Sequence, residues 1–429
     1  MGKLKLLYDK KMLTVFALGF SSGLPLLLTA GTLQAWFKDS GMNIAEIGLF
    51  ALVQIPYTMK FVWSPVLDWF VPPFLGRRRG WLLIAQVGLM VALTGLSLMD
   101  PKEGYAGVAF FALAVAFLSA TQDIGVDAYI IESLPRETYG LGSQVFVLAY
   151  RLAMLTSFSG SMILADHFPW RSVYMIMAAT LGVGVVTTLL SPEPVAQGTP
   201  PRKFVEAVWH PIRDFFSSTG PLRGKALWIL SFFVLYKVGG DLATALTTPF
   251  YLELGYSKTE IGAVAKAFSL WATIIGGIFG GGVVVYIGVR RALWIFGILQ
   301  AVAYLAFAWL GYFIKASGTT SLVALAGAVT VENLAAGLAT AAYTAFMGSV
   351  VNRKFTATQY ALLSSLMGMT RVYSAVPAGF LIQNLGWIAF FVFCSAAALP
   401  GLFVLAKIDR LIRSEGLVVN RIDHSVAEQ

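Results

Sequence analysis

The feature that constrains this chain most is a series of long apolar stretches, separated by short segments that collect the charged residues. Twelve stretches can be delimited, at residues 12–36, 44–71, 81–99, 106–132, 141–165, 170–191, 226–252, 258–286, 292–315, 320–350, 358–384 and 388–407. Each is close to or longer than the roughly 20 residues that an α-helix needs to cross the hydrocarbon core of a bilayer. The sequence therefore predicts an all-α integral membrane protein with twelve transmembrane helices.

Composition excludes the soluble alternatives. Of the 429 residues, 57% are apolar and 12% are charged, and this charged share is about half of that in a typical soluble domain. Transmembrane β-strands would instead alternate polar and apolar residues over runs of about ten. Because Cys394 is the one cysteine, no intrachain disulfide or cysteine metal cluster can form. The sequence shows no clustered His, Ser or metal-ligand set, so we expect no metal, no cofactor and no enzymatic activity.

The distribution of basic residues predicts the orientation of the chain. If both termini lie in the cytoplasm, 21 of the 31 Lys and Arg residues fall on the cytoplasmic side, five on the outer side and five within the stretches. An excess of Lys and Arg is typical of cytoplasmic loops. Topology also accounts for the formal net charge of +9, so we expect the lipid bilayer, and not nucleic acid, as the partner of this chain.

The longest segment between stretches, Pro192–Lys225, divides the chain into six stretches plus six. Apolar residues recur in it at helical spacing, which predicts a short amphipathic helix on the inner membrane surface. The predicted organisation is an N-terminal six-helix bundle (1–191), a cytoplasmic linker (192–225), a C-terminal six-helix bundle (226–407) and a cytoplasmic tail (408–429).

The two halves share a short repeat. The segment Gly41–Gly48 matches Gly255–Gly262 at a Gly, a Glu, an Ile and a second Gly, all at one constant offset of 214 residues. Each segment joins an odd-numbered stretch to the next one. Two six-helix repeats around a central site are typical of alternating-access transporters.

Two acids within the fourth stretch are candidates for proton coupling. Asp123 and Asp127 are four residues apart and therefore share one helix face. Two carboxylates that lie close in a low dielectric resist ionising together, so one of them can carry a proton. We predict this role for Asp123 first and Asp127 second. The alternative is static pairing with Arg151 or Lys266 that only holds the bundle together.

The basic residues within the stretches favour an anionic substrate. Arg151 and Arg371 lie in the fifth stretch of each half and can each bind a carboxylate in bidentate fashion. Lys266 is the third predicted contact of this kind. Lys237 and Asp241, four residues apart, are expected to neutralise each other. The other predicted substrate contacts are Gln122 and Tyr129, beside the two acids, and Trp271, which could stack on a sugar.

A loop motif follows the second stretch. Asp68 is followed by Gly76-Arg77-Arg78-Arg79-Gly80, which is similar to a stretched form of the first cytoplasmic loop signature of the major facilitator superfamily. We predict that Asp68, Arg77 and Arg78 form a conformational latch. The alternative is that these are ordinary charges at helix ends.

Six segments of the first half together resemble the AmpG-type muropeptide permeases. They are Phe20–Pro25, Gly31–Trp36, Lys60–Pro65, Gly76–Leu83, Ala120–Ile124 with Asp127 and Ala128, and Tyr150–Leu155. The similarity continues more weakly through Phe250–Gly255 and Glu260–Lys266. The more distant eukaryotic acetyl-CoA transporters share part of the pattern.

The resemblance implies a major facilitator fold in a bacterial inner membrane. It implies proton-coupled import of anhydro-muropeptides (GlcNAc-anhydroMurNAc and its peptides) from the periplasm to the cytoplasm for peptidoglycan recycling, with Asp123 as the protonation site. We expect the protein to act as a monomer. The alternatives are a proton-coupled transporter of another anionic solute, such as a sugar conjugate or a CoA ester, and, from other classes, a membrane enzyme or a sensor.

Overall fold

The computed structural model describes residues 10–134, 136–194, 226–350 and 356–414, and all regular elements within these ranges are helical. In the first half the α-helices are α1 (Lys10–Leu28), α2 (Gly31–Asp39), α3 (Ile44–Phe50), α4 (Ile55–Met59), α5 (Ser64–Trp69), α6 (Arg77–Ser97), α7 (Tyr105–Ser133), α8 (Arg136–Leu155), α9 (Ser161–Ala165), α10 (Trp170–Thr180) and α11 (Gly182–Leu190). In the second half they are α12 (Ala226–Ala245), α13 (Thr247–Glu253), α14 (Lys258–Glu260), α15 (Lys266–Ile287), α16 (Val289–Ala303), α17 (Leu305–Ser317), α18 (Leu322–Val350), α19 (Thr356–Leu385), α20 (Trp387–Ala397) and α21 (Leu399–Ser414).

Ten helical segments of the described residues are long and apolar enough to cross a membrane. They correspond to ten of the twelve predicted stretches. The two others are the second and the eleventh, and the eleventh falls on α19, a continuous helix of 30 residues. The predicted amphipathic helix of the linker lies almost wholly within 195–225, outside the described residues, as does the tail beyond residue 414.

The second predicted stretch is broken into short helices. α3, α4 and α5 are separated by 3₁₀ turns at Ala51–Gln54 and Lys60–Val62. Pro56 and Pro65 stand in the first turns of α4 and α5. A proline has no backbone N–H to donate, so it is tolerated in the first turn of a helix and interrupts one that would continue through it. The breaks follow from these two residues.

The chain forms two compact units. Unit 1 consists mainly of the first half and also contains Ser257–Ala263, whereas unit 2 consists mainly of the second half and also contains Ile44–Leu49. These two exchanged segments overlap the predicted repeat Gly41–Gly48 and Gly255–Gly262. The repeat therefore marks equivalent segments, each of which packs with the unit of the other half.

In unit 1, the Ser257–Ala263 segment is fixed by polar contacts. Lys258 Nζ lies 2.8 Å from Asp39 Oδ2, and the backbone N–H of Thr259 donates to Asp166 Oδ2 at 2.7 Å. Ser159 Oγ donates to the carbonyl of Gly262 at 2.7 Å. In unit 2, the backbone of the Ile44–Leu49 segment packs directly against the backbone of α19, because a Cβ on Gly48 would lie 2.6 Å from the carbonyl oxygen of Ala375.

The core of unit 1 joins α1, α7 and the start of α6. Its buried apolar residues are Met12, Val15, Leu18, Leu82, Val126, Tyr129, Ile130 and Leu134. Gly23 lets α1 approach α8, because a Cβ there would collide with the carbonyl oxygen of Tyr150. The core of unit 2 is richer in aromatic rings. Phe232 and Phe233 on α12 contact Tyr343 and Phe346 on α18.

Small residues also bring α15 and α18 together in unit 2. A Cβ on Gly276 would collide with the carbonyl oxygen of Leu334, and a Cβ on Gly337 would lie 2.5 Å from that of Thr273. At Gly277, one residue further along α15, a Cβ would meet no neighbouring helix within 4 Å. Glycines at helix crossings of membrane proteins allow such close backbone approach.

Gly276→Ala therefore tests this crossing, with Gly277→Ala as the matched control. The methyl group at residue 276 must push α15 away from α18, and overpacking of this kind costs ~1–3 kcal/mol. We expect a lower thermal unfolding midpoint in detergent for Gly276→Ala and an unchanged or higher midpoint for Gly277→Ala, because alanine favours the helix. Equal midpoints for the two variants would contradict the assigned crossing.

Candidate functional site

The buried polar residues of unit 1 centre on Asp123, on α7. Ser22 Oγ on α1 donates a hydrogen bond to Asp123 Oδ1. The preceding residue, Gln122, is fully buried, and its Nε2 donates to Ser21 Oγ at 3.1 Å. Two successive residues of α7 are thus joined to two successive serines of α1.

The positive charge of Lys60 acts on both acids of α7, Asp123 and Asp127. Its Nζ lies 3.8 Å from Asp127 Oδ2, and its charge also acts on Asp123. Lys60 lies in the 3₁₀ turn between α4 and α5. Trp63, three residues later, holds this turn against α7, because its Nε1 donates to Thr121 Oγ1 at 3.1 Å. The broken second stretch therefore positions the lysine.

The alternative drawn from the sequence was that Arg151 or Lys266 pairs statically with Asp123 and Asp127. Among the described residues, the cation beside Asp123 and Asp127 is Lys60. Arg151 is half-buried on α8. Lys60 is visible in the sequence as one of five basic residues within the stretches, but a single sequence does not say which stretches are neighbours.

Two predicted substrate contacts of unit 1 are engaged within the protein. Gln122 is fully buried against Ser21. Tyr129 is 3% exposed, and its hydroxyl donates to the backbone carbonyl of Pro192 at 2.9 Å. The structure therefore places Gln122 in the contact between α1 and α7, and it places Tyr129 where the end of α11 meets α7.

The arginines of the predicted latch bind Glu132, at the end of α7. Arg77 Nη2 and Arg78 Nη2 lie 3.0 Å and 2.6 Å from Glu132 Oε1. Glu193 accepts hydrogen bonds from the backbone N–H groups of Arg78 and Arg79, at 2.8 Å and 3.0 Å. A carboxylate is favourable there, at the N-terminus of α6. The side chain of Asp68 lies outside the described residues, and sequence reasoning did not identify Glu132 or Glu193.

Unit 2 contains a second set of charged residues within its helices. Lys237 Nζ on α12 donates to Thr340 Oγ1 on α18 at 3.0 Å, and it lies 5.3 Å from the ring centroid of Tyr343. Asp241, one turn further along α12, accepts a hydrogen bond from Thr370 Oγ1 on α19 at 2.6 Å. Lys237 and Asp241 each make a hydrogen bond to a threonine on another helix, and their opposite charges also act on each other.

In unit 2, the positive charge of Arg371 acts on Lys266. Arg371, on α19, is exposed, and its charge also acts on Asp241. Lys266 is half-buried and begins α15, directly after a π-helical turn at Ile261–Ala265. Two like charges held near each other attract a carboxylate, which relieves their repulsion.

Trp271 lies on another side of α15 from Lys266. The two are five residues apart, which places them about 140° apart around the helix. Trp271 is 64% exposed and shares its face with other exposed apolar side chains, namely Ile275, Ile278 and Phe279. This face suits contact with lipid, and the structure does not bring Trp271 together with the basic residues.

Comparison with known proteins identifies the family. The chain is 41% identical, over 404 residues, to the anhydromuropeptide permease of Escherichia coli, which covers 94% of this chain and 80% of that protein. The chain belongs to the anhydromuropeptide permease family. A relative in Rickettsia felis, named as an AmpG transporter, is 36% identical and covers 95% of this chain and 99% of its own length. Residues 11–177 also match the family model described as acetyl-coenzyme A transporter 1.

Solved transporter structures show that this permease family member has their fold. The peptide transporter POT matches with a TM-score of 0.72 at 12% identity, covering 94% of this chain and 95% of that chain. The D-xylose–proton symporter matches with a TM-score of 0.67 at 12% identity, covering 92% and 96%. The chain therefore has the all-helical, multi-pass fold of these transporters, which agrees with the fold implied by the resemblance.

Glu132→Gln tests the contact that holds the arginines of the latch motif. Neutralising Glu132 removes the negative charge that Arg77 and Arg78 both contact, in a site where these three side chains are largely buried. Breaking one partner of a buried ion pair costs about 3 kcal/mol, so we expect a clearly lower unfolding midpoint in detergent. Glu103→Gln, at an exposed loop position, is the control and should leave the midpoint unchanged. A Glu132→Gln protein as stable as the control would show that the contact contributes little.

Proposed function

We propose that this protein imports anhydro-muropeptides from the periplasm to the cytoplasm for peptidoglycan recycling, in symport with protons. The observation that carries the proposal is the 41% identity to the Escherichia coli anhydromuropeptide permease, which extends over 94% of this chain. Its function is then transport, with no catalytic residue, cofactor or metal. The acids and bases within its helices supply the two activities that such a transporter needs, which are proton exchange and anion binding.

A CoA ester is the second candidate substrate. It is favoured by the match of residues 11–177 to the acetyl-coenzyme A transporter family model. Uptake of labelled GlcNAc-anhydroMurNAc into proteoliposomes, with unlabelled acetyl-CoA or unlabelled GlcNAc-anhydroMurNAc as competitor, distinguishes the two. We expect competition by the muropeptide alone. Competition by acetyl-CoA at equal concentration would favour the second candidate.

The proposed topology has twelve spans in two six-helix halves, with both termini and the 192–225 linker in the cytoplasm of a bacterial inner membrane. We also propose that the chain consists of an N-terminal bundle (1–191), a C-terminal bundle (226–407) and a tail (408–429), and that it acts as a monomer. Cysteine substitution checks the sidedness, because the native Cys394 is fully buried. A cysteine at Gly318 should react with an impermeant maleimide from outside intact cells, and one at Gln197 should not.

Asp123 is the proposed proton carrier, with Asp127 as its neighbour. When Asp123 is ionised, Lys60 neutralises it and the Ser22 hydroxyl donates to it. When a proton binds the carboxylate, Asp123 becomes neutral and the Lys60 ammonium is left to Asp127, from which it is 3.8 Å away. A lysine shared by two acids lets one of them lose its charge without leaving an unpaired cation within the bilayer.

Arg151, Arg371 and Lys266 are the proposed contacts of the substrate carboxylates. The lactyl group of anhydro-MurNAc, or the peptide that extends it, carries such carboxylates. Guanidinium groups bind carboxylates with two parallel hydrogen bonds. Among the three, Arg371 is exposed, and the interaction between the charges of Arg371 and Lys266 supports the proposal that both bind one anion.

Asp123→Asn should abolish proton-driven accumulation while leaving substrate exchange largely intact. The amide keeps the shape of the protonated carboxyl but cannot release a proton. Uptake into proteoliposomes under an imposed pH gradient measures accumulation, and counterflow without a gradient measures exchange. Asp127→Asn, the matched control on the same helix face, should have a milder effect. Normal accumulation by the Asp123→Asn protein would exclude Asp123 as the obligatory carrier.

Arg371→Ala should weaken substrate binding at least tenfold, because removing one partner of a charged hydrogen-bonded pair costs ~1.5–3 kcal/mol. Binding of GlcNAc-anhydroMurNAc to purified protein measures the effect directly. Arg291→Ala, at an exposed position at the start of α16, is the control and should bind normally. Equal affinities of the two variants would remove Arg371 from the binding site.

A further inference from the structure

A stripe of exposed side chains runs along α21 and changes in character towards the end of the helix. Leu399 and Phe403 are exposed apolar residues, and Lys407 and Arg410 are exposed basic residues nearer the C-terminus. Their spacings of four, four and three residues place all four side chains on one helix face, within an arc of about 80°. Along this face, apolar side chains are therefore followed by two cations.

Lys407 also lies beside α12. Its Nζ is 5.9 Å from the ring centroid of Trp228, an exposed residue in the first turn of α12. Tryptophan is enriched in membrane proteins at the boundary between the hydrocarbon and the lipid headgroups. Trp228 therefore indicates that the basic end of the stripe lies at the level of the headgroups, and that its apolar part lies at the level of the acyl chains.

The acid that precedes Arg410 in the sequence is bound to another helix. Asp409 Oδ1 lies 3.1 Å from Arg290 Nε, and Asp409 Oδ2 accepts a hydrogen bond from Trp294 Nε1 at 3.1 Å. Both carboxylate oxygens thus contact α16. Among the residues that the structure describes, neither Lys407 nor Arg410 forms an ion pair. The two positive charges of the stripe are therefore available to an anion from outside the chain.

An anionic phospholipid matches this surface both in charge and in the order of its parts. Its phosphate would contact the two cations, and basic groups at a membrane surface attract anionic lipids. Its acyl chains would lie along the apolar part of the stripe, where Phe403 is 76% exposed. The aliphatic stems of lysine and arginine can lie against the same chains while their charged ends reach the headgroups. A soluble anion would contact the cations alone.

We propose that the face of α21 from Leu399 to Arg410, together with Trp228, binds an anionic phospholipid of the bilayer, with the phosphate between Lys407 and Arg410. All of these residues belong to unit 2. None of them is among the residues proposed to bind the substrate or to carry protons. The inference therefore goes beyond the proposed function and does not depend on it.

The experiment uses Trp228 as a reporter, because bromine atoms on an acyl chain quench the fluorescence of a nearby indole. The protein is reconstituted into phosphatidylcholine vesicles that contain a small fraction of either brominated phosphatidylglycerol or brominated phosphatidylcholine. Each protein is prepared with and without Trp228→Phe, and the difference between the two isolates the signal of Trp228. The proteins are the wild type, the double variant Lys407→Gln/Arg410→Gln, and Lys315→Gln.

We expect brominated phosphatidylglycerol to quench Trp228 of the wild type more strongly than brominated phosphatidylcholine does at the same fraction. The preference should reach at least about fivefold, which is the gain that one basic residue near an anionic surface provides. The double variant should lose this preference. Lys315→Gln, the matched control, removes an exposed lysine from the last turn of α17 and should keep it.

Each other outcome overturns the proposal. The same preference in the double variant and in Lys315→Gln would show that Lys407 and Arg410 do not bind the headgroup. Displacement of the lipid by inorganic phosphate, but not by sodium chloride of equal ionic strength, would assign the two cations to a soluble anion. The wild type alone gives a further test that needs no variant at these cations, because a preference unchanged in 1 M sodium chloride would exclude binding through charge.

Discussion

A charge inside a bilayer must be compensated where it lies, because the surrounding hydrocarbon offers it no hydration. In unit 1, one lysine compensates the charge of two acids, and a serine hydroxyl also donates a hydrogen bond to the less exposed of these acids. Lys60 faces Asp123 and Asp127, and Ser22 donates to Asp123. The close packing of α1, the break in the second stretch and the position of Trp63 all contribute to bringing these groups together.

Unit 2 meets the same requirement in a different way. Its half-buried lysine and its half-buried aspartate are each hydrogen-bonded to a threonine of another helix, and the charge of Arg371 acts on both this aspartate and Lys266. The two units are thus not chemically equivalent, although their sequences share a repeat. One contains an acid pair with a shared cation, which suits proton exchange, and the other contains a cluster with excess basic residues, which suits an anion.

Much of this arrangement could be predicted from the sequence, and the exceptions have physical reasons. Stretch length and charge depletion predicted the all-helical membrane class, and ten of the predicted stretches correspond to helices able to span. The two prolines of the second stretch were visible, yet the resulting break was not predicted. The identity of the cation beside Asp123 could not be deduced, because it depends on which helices are neighbours. Glu132 and Glu193 were missed since they lie at helix ends, where acids are common. Trp271 was predicted to contact the substrate because an aromatic ring can stack on a sugar. It is instead 64% exposed, on a helix face whose other exposed side chains are apolar.

The exchange of Ser257–Ala263 and Ile44–Leu49 between the units bears on how the protein is made. When the first half has entered the membrane, the ribosome has not yet produced Lys258. Asp39 and Asp166 therefore still lack the lysine that contacts both of them in the folded protein. Ile44–Leu49 is likewise synthesised long before Ala375, the residue against which Gly48 packs. Neither unit can reach its final form from its own half alone. Assembly therefore finishes only after translation has passed both exchanged segments and α19, and the two halves mature together and not in sequence.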